Sequence, residues 1–415
     1  MMRRRDFVIG LGAGIGLAAT GRWTLAASKD PVKIGFLAPM TGGFAQVGKD
    51  MVDGATMYLE EIGSQAAGRK IEIIVEDTQG QPQVALTKAR KLVENDRVHV
   101  LNGGLLASTG YALQPYFTEK KVPMLYPVMA SDDLTQRQRS AYLVRMGWTS
   151  SQPSHPLGEY AYLTLKHRKV VTISADYAFG YETIGGFQRT FEEAGGQVIQ
   201  KIWCPLNTVD FAPYLAQVRR DADAVMTLLV GQLSLRFPKQ YAQAGLYGKI
   251  AVLGGGTGTD EFVLPSLDDS ALGYVTALHY SAALDTPINR KFVQTYRSKF
   301  GKVPGYYSET CYLSSRWVAE ATKAVGGEVE DGPKFLEALK RVHVTDAPRG
   351  PIKLDEYLNP IQNEYIRKVE RREGELWNTV VKTYPDVSQF WKWKPEEYLK
   401  QPLYTRDYPP CRFCG

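Results

Sequence analysis

Short β-branched runs alternate with amphipathic stretches along most of this chain, and this alternation restricts the fold more than any other feature. The first series of strand-like runs is VKIGF, IEIIV, VHVL, PMLY and YLVR. A second series, beginning at Val170, is VVTIS, QVIQKIW, AVMTLLV and KIAVLG. Strands that alternate with helices form parallel sheets covered by helices on both faces. The sequence therefore predicts an α/β protein with two doubly wound halves.

Helical periodicity fills the intervals between these strands. Residues 48–62 form an amphipathic stretch, and Pro82 begins another at the first helical position, which proline suits. In the second series, residues 180–194 and 211–220 have the same periodicity. Residues 287–345, after the second series of strands, return to a helical pattern.

The N-terminal residues MMRRRDFVIGLGAGIGLAAT have the pattern of an export signal. Three arginines precede an apolar run, residues 7–19, that is too short to span a bilayer. Small residues at Ala26 and Ala27 follow, as at a cleavage site. The core RRDF resembles a twin-arginine signal. We therefore expect residues 1–27 to be an export signal peptide and the mature protein to be periplasmic.

The same segment also contains G-x-G-x-x-A, from Gly14 to Ala19, a pattern that opens dinucleotide-binding domains. That fold needs an acidic residue about twenty positions later to bind the ribose. Residues 33–38, KIGFLA, contain no acid. The export interpretation is therefore favoured over a nucleotide-binding one.

Removal of residues 1–27 lowers the net charge from +6 to +3 and leaves 388 residues. A nearly neutral chain of this size argues against a nucleic-acid partner. It is longer than one hydrophobic core usually serves, so we expect two lobes. No later apolar run approaches membrane length. A periplasmic monomer is the expectation.

The four cysteines are Cys204, Cys311, Cys411 and Cys414. An oxidising compartment permits disulfides, and we predict that Cys411 and Cys414 pair. No second C-x-x-C completes a zinc site, and no histidine follows the motif as haem attachment requires. The alternative is two free thiols on the tail.

The sequence contains near-matches to catalytic motifs but no complete one. GFAQVGKD, residues 43–50, resembles a phosphate-binding loop, yet Asp50 stands where a hydroxyl must bind magnesium. The five histidines have no H-E-x-x-H spacing, and no G-x-S-x-G occurs. We therefore expect no metal, no cofactor and no enzymatic activity.

Five segments, in order, carry a family resemblance. They are KIGFLAPMTGGFAQVGKDMVDGATMYLEEI, VEDTQGQPQVALTKARKLVENDRVHVLNGG, YPVMASDDLT, ADYAFGYE and EAGGQVIQKIWCPLNTVDFAPYLAQVRRDADAV. They resemble the branched-chain amino acid type of periplasmic binding protein, which serves ABC transporters, and the similarity extends over residues 33–382. The resemblance implies a type I periplasmic binding protein fold, with two lobes joined by three hinge crossovers and a ligand trapped between them.

This fold implies a division of the chain into paired segments. Lobe 1 is expected to contain residues 28–145 and 278–350, and lobe 2 residues 146–277 and 351–382. Residues 383–415 form a Tyr/Trp/Pro-rich tail with the C-x-x-C motif and have no assignment in this scheme.

In the family, a small polar residue after the third strand and the backbone of the next loop hold the ligand carboxylate. The matching positions are Ala107, Ser108, Thr109, Met129, Ala130 and Ser131. Short hydroxyls and free N–H groups at helix N-termini suit an anion. Because Ala107 stands where a serine is usual, Ser108 or Thr109 must supply the hydroxyl. Ordinary helix caps are the alternative role.

Two departures from the family concern the ligand. Relatives that bind amino acids hold the ammonium group with an acid, but the matching stretch GGGTG, residues 254–258, has no carboxylate before Asp260. An unpaired buried ammonium costs several kcal/mol. A tyrosine of some leucine-binding relatives is Val47 here. Aromatic residues on predicted cleft loops suit an apolar or aromatic ligand, with core packing as the alternative: Phe44, Trp148, Tyr177, Phe179 and Tyr280.

Four further positions complete the predicted site. Gln232, Gly256 and Thr257 lie on loops of the second series and are expected to contact the ligand. Arg145 ends the strand before the first crossover. It could hold a ligand anion with two hydrogen bonds, or form a salt bridge at the hinge.

These features predict a periplasmic solute-binding protein that delivers a small organic anion, specifically an aromatic carboxylate, to an ABC transporter permease. One alternative is a branched-chain amino acid or amide binder, with Asp176 or Glu182 as the ammonium partner. Another is the ligand-sensing subunit of a signalling system, since the fold also serves receptors.

Overall fold

Two parallel β-sheets organise the computed structural model, which describes residues 30–414. The export signal predicted for residues 1–27 lies outside the described residues. The first sheet has six strands in the order β2-β3-β1-β4-β5-β6. Its strands are β1 Val32–Ala38, β2 Gln65–Ala66, β3 Arg69–Asp77, β4 Val100–Gly103, β5 Met124–Tyr126 and β6 Leu143–Arg145. β1 pairs with β3 and β4 in parallel, which is the doubly wound arrangement predicted.

The second sheet has eight strands in the order β12-β13-β11-β10-β9-β7-β8, and β14 pairs with β13. Its strands are β7 Lys169–Ala175, β8 Gln197–Cys204, β9 Ala224–Leu228, β10 Ala251–Gly255, β11 Val275–Leu278, β12 Lys353–Leu354, β13 Pro360–Arg372 and β14 Glu375–Val387. Strands β7 to β11 are parallel, whereas β13 is antiparallel to β11 and β14.

Helices cover the sheets, and local sequence features explain where several of them begin or end. Pro82 starts α2, Thr286 caps α8 by accepting from the Asn289 N–H, and Gly301 ends α8 with φ of +72°. The helices are α1 Ala45–Glu61, α2 Pro82–Arg90, α3 Ala107–Lys120, α4 Ser154–Leu163, α5 Ala178–Glu193, α6 Ala212–Leu215, α7 Gln232–Gln243, α8 Pro287–Phe300, α9 Tyr306–Ala324, α10 Gly332–Arg341 and α11 Pro395–Tyr398.

The chain crosses between the lobes three times: after β6, after β11 and after α10. Lobe 1 contains the first sheet and α9, which packs along α1 and buries Trp317. Lobe 2 contains the second sheet with α4 to α7. The type I periplasmic binding protein fold predicted from the sequence is therefore confirmed.

The C-terminal region differs most from the prediction. β13 and β14 form a long hairpin, and β14 continues past the predicted boundary at residue 382. The remaining tail packs an aromatic cluster of Phe390, Tyr398 and Tyr404 against lobe 2, where the Tyr404 ring lies beside Gly185 of α5. The sulfur atoms of Cys411 and Cys414 lie at bonding distance.

One predicted helix is shorter than its pattern indicated. Residues 211–220 were expected to be helical, but α6 ends at Leu215. The next N–H groups, of Gln217 and Val218, bond three residues back rather than four, which tightens the chain and ends the α-helix.

Candidate functional site

A narrow slot lies between the lobes at the carboxyl ends of parallel strands, where open α/β sheets bind ligands. Including the space open to solvent at its mouth, it measures about 360 Å³. Lobe 1 supplies the segments after β4 and β5 and the start of α9, and lobe 2 those after β7 and β9. The residues that line it are Phe44, Leu105, Leu106, Ala107, Val128, Ala130, Trp148, Tyr177, Phe179, Val230, Tyr306 and Tyr307.

Three helices begin at the slot, because α3, α5 and α9 each start within or beside its lining residues. The first N–H groups of a helix have no acceptor within it, and the helix dipole makes this end positive. At α9, the Asp260 carboxylate accepts from the Tyr306 N–H at 3.1 Å. No side chain within the described residues caps α3 or α5. Both ends therefore favour an anion.

Aromatic rings form the walls of the slot. Trp148 contacts Tyr306 edge to face, with ring centroids 5.0 Å apart, and Phe179 at 6.5 Å. Phe44 of lobe 1 reaches lobe 2, since a Cβ on Gly231 would lie 2.9 Å from its ring. The walls are thus contributed by both lobes, and they meet only when the lobes are closed.

The polar atoms of the slot are neutral. Among the described residues that line it, none is Asp, Glu, Lys or Arg. Burial raises the pKa of the Tyr177 and Tyr306 hydroxyls well above the ordinary value. The Trp148 indole N–H is buried and has no acceptor within residues 30–414. A ligand therefore meets hydrogen-bond donors and aromatic faces rather than a fixed charge.

Arg145 lies behind the slot at the first crossover and is fully buried. Its guanidinium donates to the carbonyl oxygens of Trp148 at 2.9 Å, Ser131 at 2.6 Å and Ala130 at 3.2 Å. Burial lowers the pKa of Arg145 to about 10, so it stays protonated at neutral pH. It orients the loops that line the slot instead of facing the slot itself.

Two more buried arginines hold the other crossovers. Arg367 donates to the carbonyl oxygens of Tyr280 at 2.9 Å and Gly256 at 2.8 Å. Arg349 donates from Nε to Glu309 at 2.8 Å and from Nη1 to the Met146 carbonyl at 3.1 Å. Each hinge guanidinium thus donates to backbone carbonyl oxygens, and buried carboxyls lie near all three.

The structure places the predicted ligand-binding residues in four groups. Six line the slot: Phe44, Ala107, Ala130, Trp148, Tyr177 and Phe179. Others are buried in the surrounding core or loops: Val47, Thr109, Met129, Gly256 and Tyr280. Two have hydroxyls that donate to carbonyl oxygens, Ser131 to Ala107 at 2.7 Å and Thr257 to Leu229 at 2.8 Å. The last two, Ser108 and Gln232, lie in the first turns of α3 and α7, outside the lining.

Six lining residues were missed by the sequence analysis: Leu105, Leu106, Val128, Val230, Tyr306 and Tyr307. The aliphatic ones neighbour predicted positions and carry no distinguishing signal. The aromatic pair Tyr306-Tyr307 directly follows Gly305 at a helix start, a position that could have been recognised.

Two α/β lobes with a slot between them, at the carboxyl ends of parallel strands, define a solute-binding protein of the type I periplasmic class, which binds small molecules and works with a membrane permease. The chain belongs to the periplasmic binding protein family, whose model matches residues 31–374. Within residues 30–414 we find no helix with the length and apolar character that crossing a membrane requires.

Relatives and solved structures match nearly the whole chain. Leu/Ile/Val-binding protein homolog 6 of Brucella melitensis biotype 1 is 32% identical over 381 residues, 89% of this chain and 96% of the relative. A solute-binding protein of Rhodopseudomonas palustris BisB5, in complex with 3,4-dihydroxy benzoic acid, is 36% identical, with a TM-score of 0.83 over 87% of this chain and 99% of that one. Another, from Rhodopseudomonas palustris HaA2 with p-hydroxybenzoic acid, is 28% identical, with a TM-score of 0.82 and the same coverage.

Proposed function

We propose that this protein captures an aromatic carboxylate in its interlobe slot, in the periplasm, and delivers it to an ABC permease. The observation that carries the proposal is the composition of the slot: aromatic walls, neutral donors and two uncapped helix N-termini. Aromatic faces stack on an aromatic ring, and helix N-termini stabilise its carboxylate.

The carboxylate is expected beside Ala107 and Ala130, where the start of α3 meets the loop after β5. Ser131 supports this arrangement, because its hydroxyl bonds to the Ala107 carbonyl and joins the two segments. The ring then packs against the aromatic walls formed by Phe179, Trp148 and the tyrosines of α9. Contacts to both lobes stabilise the closed form, which is how a ligand shifts such an equilibrium.

Two similar proteins support the ligand class, since both were solved with hydroxylated benzoic acids. The more similar of them is also more than one-third identical to this chain. The shared chemistry of their ligands, a benzene ring with one carboxylate, is the chemistry that this slot favours.

A branched-chain amino acid is the second candidate, and the name of the Brucella relative favours it. It requires a carboxylate for the ammonium group. The acids that the sequence suggested have other partners: Asp176 accepts from Tyr181 Oη at 2.6 Å, and Glu182 accepts from Tyr111 Oη at 3.1 Å. Asp260 accepts from the Tyr306 and Phe262 N–H groups. None of these three lines the slot.

A thermal-shift panel tests the proposal with 4-hydroxybenzoate, benzoate, cyclohexanecarboxylate and leucine. Specific binding raises the unfolding midpoint by mass action. We expect the two aromatic acids to raise it, cyclohexanecarboxylate to raise it less, and leucine to leave it unchanged. A shift with leucine and none with either aromatic acid would establish the second candidate instead.

Two variants of α5 test whether the ligand-induced thermal shift arises from binding in the slot. Phe179→Ala removes a slot wall and should abolish the shift. Phe187→Ala removes an equally aromatic, fully buried residue of the same helix, outside the slot lining. It should lower the midpoint of the free protein but retain the ligand-induced shift.

A further inference from the structure

Glu182 of α5 joins the two lobes through one buried carboxyl group, of which 1% is exposed. Its Oε1 accepts from Tyr111 Oη on α3 of lobe 1 at 3.1 Å. Its Oε2 accepts from the Asp132 N–H at 3.2 Å and lies 2.5 Å from Ser150 Oγ in the first crossover. The contacts with Tyr111 and Asp132 exist only while α5 is closed against lobe 1.

The hydrogen bonds of Ser150 indicate where a proton lies. Ser150 has one hydroxyl hydrogen and two oxygen neighbours, and it donates to the Ala130 carbonyl at 2.8 Å. The Ser150 N–H donates to the same carbonyl at 2.7 Å, which fixes the residue to lobe 1. Ser150 Oγ lies within donating distance of Glu182 Oε2 as well, so its single hydrogen can serve only one of these two oxygens at a time. A protonated Glu182 that donates to Ser150 satisfies both contacts, because Ser150 then keeps its own hydrogen for the Ala130 carbonyl.

Charge balance leads to the same assignment. The titratable and charged groups around the Asp132–Glu182 pair are Tyr111, Asp133, Arg145, Tyr177, Tyr398 and Tyr404, and the tyrosines are neutral. Asp133 is paired with Arg137 at 2.8 Å. Arg145 therefore supplies one positive charge for two buried carboxyls, those of Asp132 and Glu182. One ionised and one protonated carboxyl make this cluster neutral.

The pKa shifts of the two carboxyls agree with one being ionised and the other protonated. Burial, and then repulsion from Asp132, raise the pKa of Glu182 well above its ordinary value. Burial raises the pKa of Asp132 to about 6, against the lowering effect of hydrogen bonds from Ser151. Glu182 is therefore the carboxyl that retains the proton at neutral pH. In an open form, water would solvate Glu182 and restore its ordinary acidity.

We propose that closure of the lobes over a ligand takes up one proton, which the Asp132–Glu182 pair holds in the closed form. This inference rests on the ligand-driven closure proposed above but not on the identity of the ligand. A group whose pKa rises on closure stabilises the closed form fully below its ordinary pKa. The stabilisation is lost as the pH rises toward the closed-form pKa. Affinity should therefore decrease from pH 6 to pH 8.

Calorimetry with 4-hydroxybenzoate tests the coupling at pH 6, 7 and 8, in two buffers of different ionisation enthalpy. The carboxyl group of this ligand is ionised throughout. For the wild type we expect uptake of close to one proton and a decrease in affinity of up to tenfold per pH unit. A flat affinity with no proton uptake would overturn the proposal.

Two variants of α5 identify the group. Glu182→Gln cannot titrate, so its affinity should change less than twofold over the same range. Glu193→Gln alters an exposed glutamate of the same helix that pairs with Arg189 at 3.1 Å, and it should retain the wild-type pH dependence. If Glu182→Gln keeps the full pH dependence, the assignment to this pair is wrong.

A ligand-free measurement separates this inference from the proposed function. If 4-hydroxybenzoate does not bind, the proposed ligand is wrong, and small-angle X-ray scattering of the free wild-type protein still tests the coupling. We expect a smaller radius of gyration at pH 5 than at pH 8, because protonation favours the closed form. Equal radii at both pH values would overturn the coupling.

Discussion

The slot between the lobes and the hinge behind it are built from different kinds of side chain. The slot has aromatic rings, aliphatic groups and neutral donors, and its described lining residues carry no charge. The hinge contains three fully buried arginines, Arg145, Arg349 and Arg367, each bonded to backbone carbonyl oxygens. The two regions lie side by side, since Arg145 bonds to the carbonyl oxygens of the slot residues Ala130 and Trp148.

This difference indicates separate roles: the slot provides the contacts for a ligand, whereas the hinge arginines position the loops that form the slot. A buried charge without a partner is costly, so charges suit a region whose contacts are permanent. The slot must be stable both empty and occupied, and neutral donors meet that condition at lower cost. The comparison indicates that changes at the hinge act mainly on stability, whereas changes in the slot act mainly on affinity.

The largest expected effect is at the hinge. Arg349→Met leaves the buried Glu309 carboxylate without its guanidinium, and removing one partner of a buried pair costs about 3–5 kcal/mol. Urea denaturation measures the decrease in unfolding free energy. Arg316→Met is the control, because the Asp346 side chain of its pair is 56% exposed and the expected loss is below about 1 kcal/mol. Equal losses in the two variants would contradict the role given to the hinge arginines.

A smaller effect, on affinity, is expected in the slot. Phe44→Ala removes a half-buried ring that reaches from lobe 1 to Gly231 of lobe 2, and should weaken 4-hydroxybenzoate binding about tenfold. Phe300→Ala, at another half-buried phenylalanine outside the lining, serves as the control. Calorimetry should show unchanged affinity for the control. A similar loss in both variants would mean that the effect comes from general destabilisation.

The smallest effect concerns the hydroxyls predicted from the sequence. Ser131→Ala should weaken binding severalfold, because its hydrogen bond to the Ala107 carbonyl joins the two segments of the anion site and one such bond contributes about 1 kcal/mol. Ser108→Ala, in the first turn of α3 outside the lining, should weaken binding less. The control is Ser298→Ala, on the exposed face of α8. Unchanged calorimetric affinity in both test variants would remove these hydroxyls from the anion site and leave the N–H groups of α3 as its donors.

The sheets were predictable because buried parallel strands are continuous apolar runs, such as VVTIS in β7. The hairpin of β13 and β14 was not, since its strands have no continuous apolar run and β13 buries charged residues, Glu364 and Arg367, that a sequence pattern assigns to the surface. The tail, residues 388–414, was also unpredictable, because its aromatic residues become buried only against lobe 2.

The site was predictable to the extent that it lies on strand-to-helix loops. Ala107, Ala130 and Phe179 follow strands, and their positions in the slot agree with that reasoning. The role of Arg145 could not be predicted, because it depends on three carbonyl oxygens that only the folded chain brings together. The contacts of Glu182 were hidden for the same reason, since they join segments that are far apart in the sequence.

A slot of neutral donors should select a negatively charged aromatic ligand. Calorimetric comparison of 4-hydroxybenzoate with 4-hydroxybenzamide at one pH tests this selectivity, because the two ligands have nearly the same shape and differ in charge. We expect the acid to bind at least about tenfold more tightly, because its carboxylate accepts charge-assisted hydrogen bonds. Equal or tighter binding of the amide would contradict it.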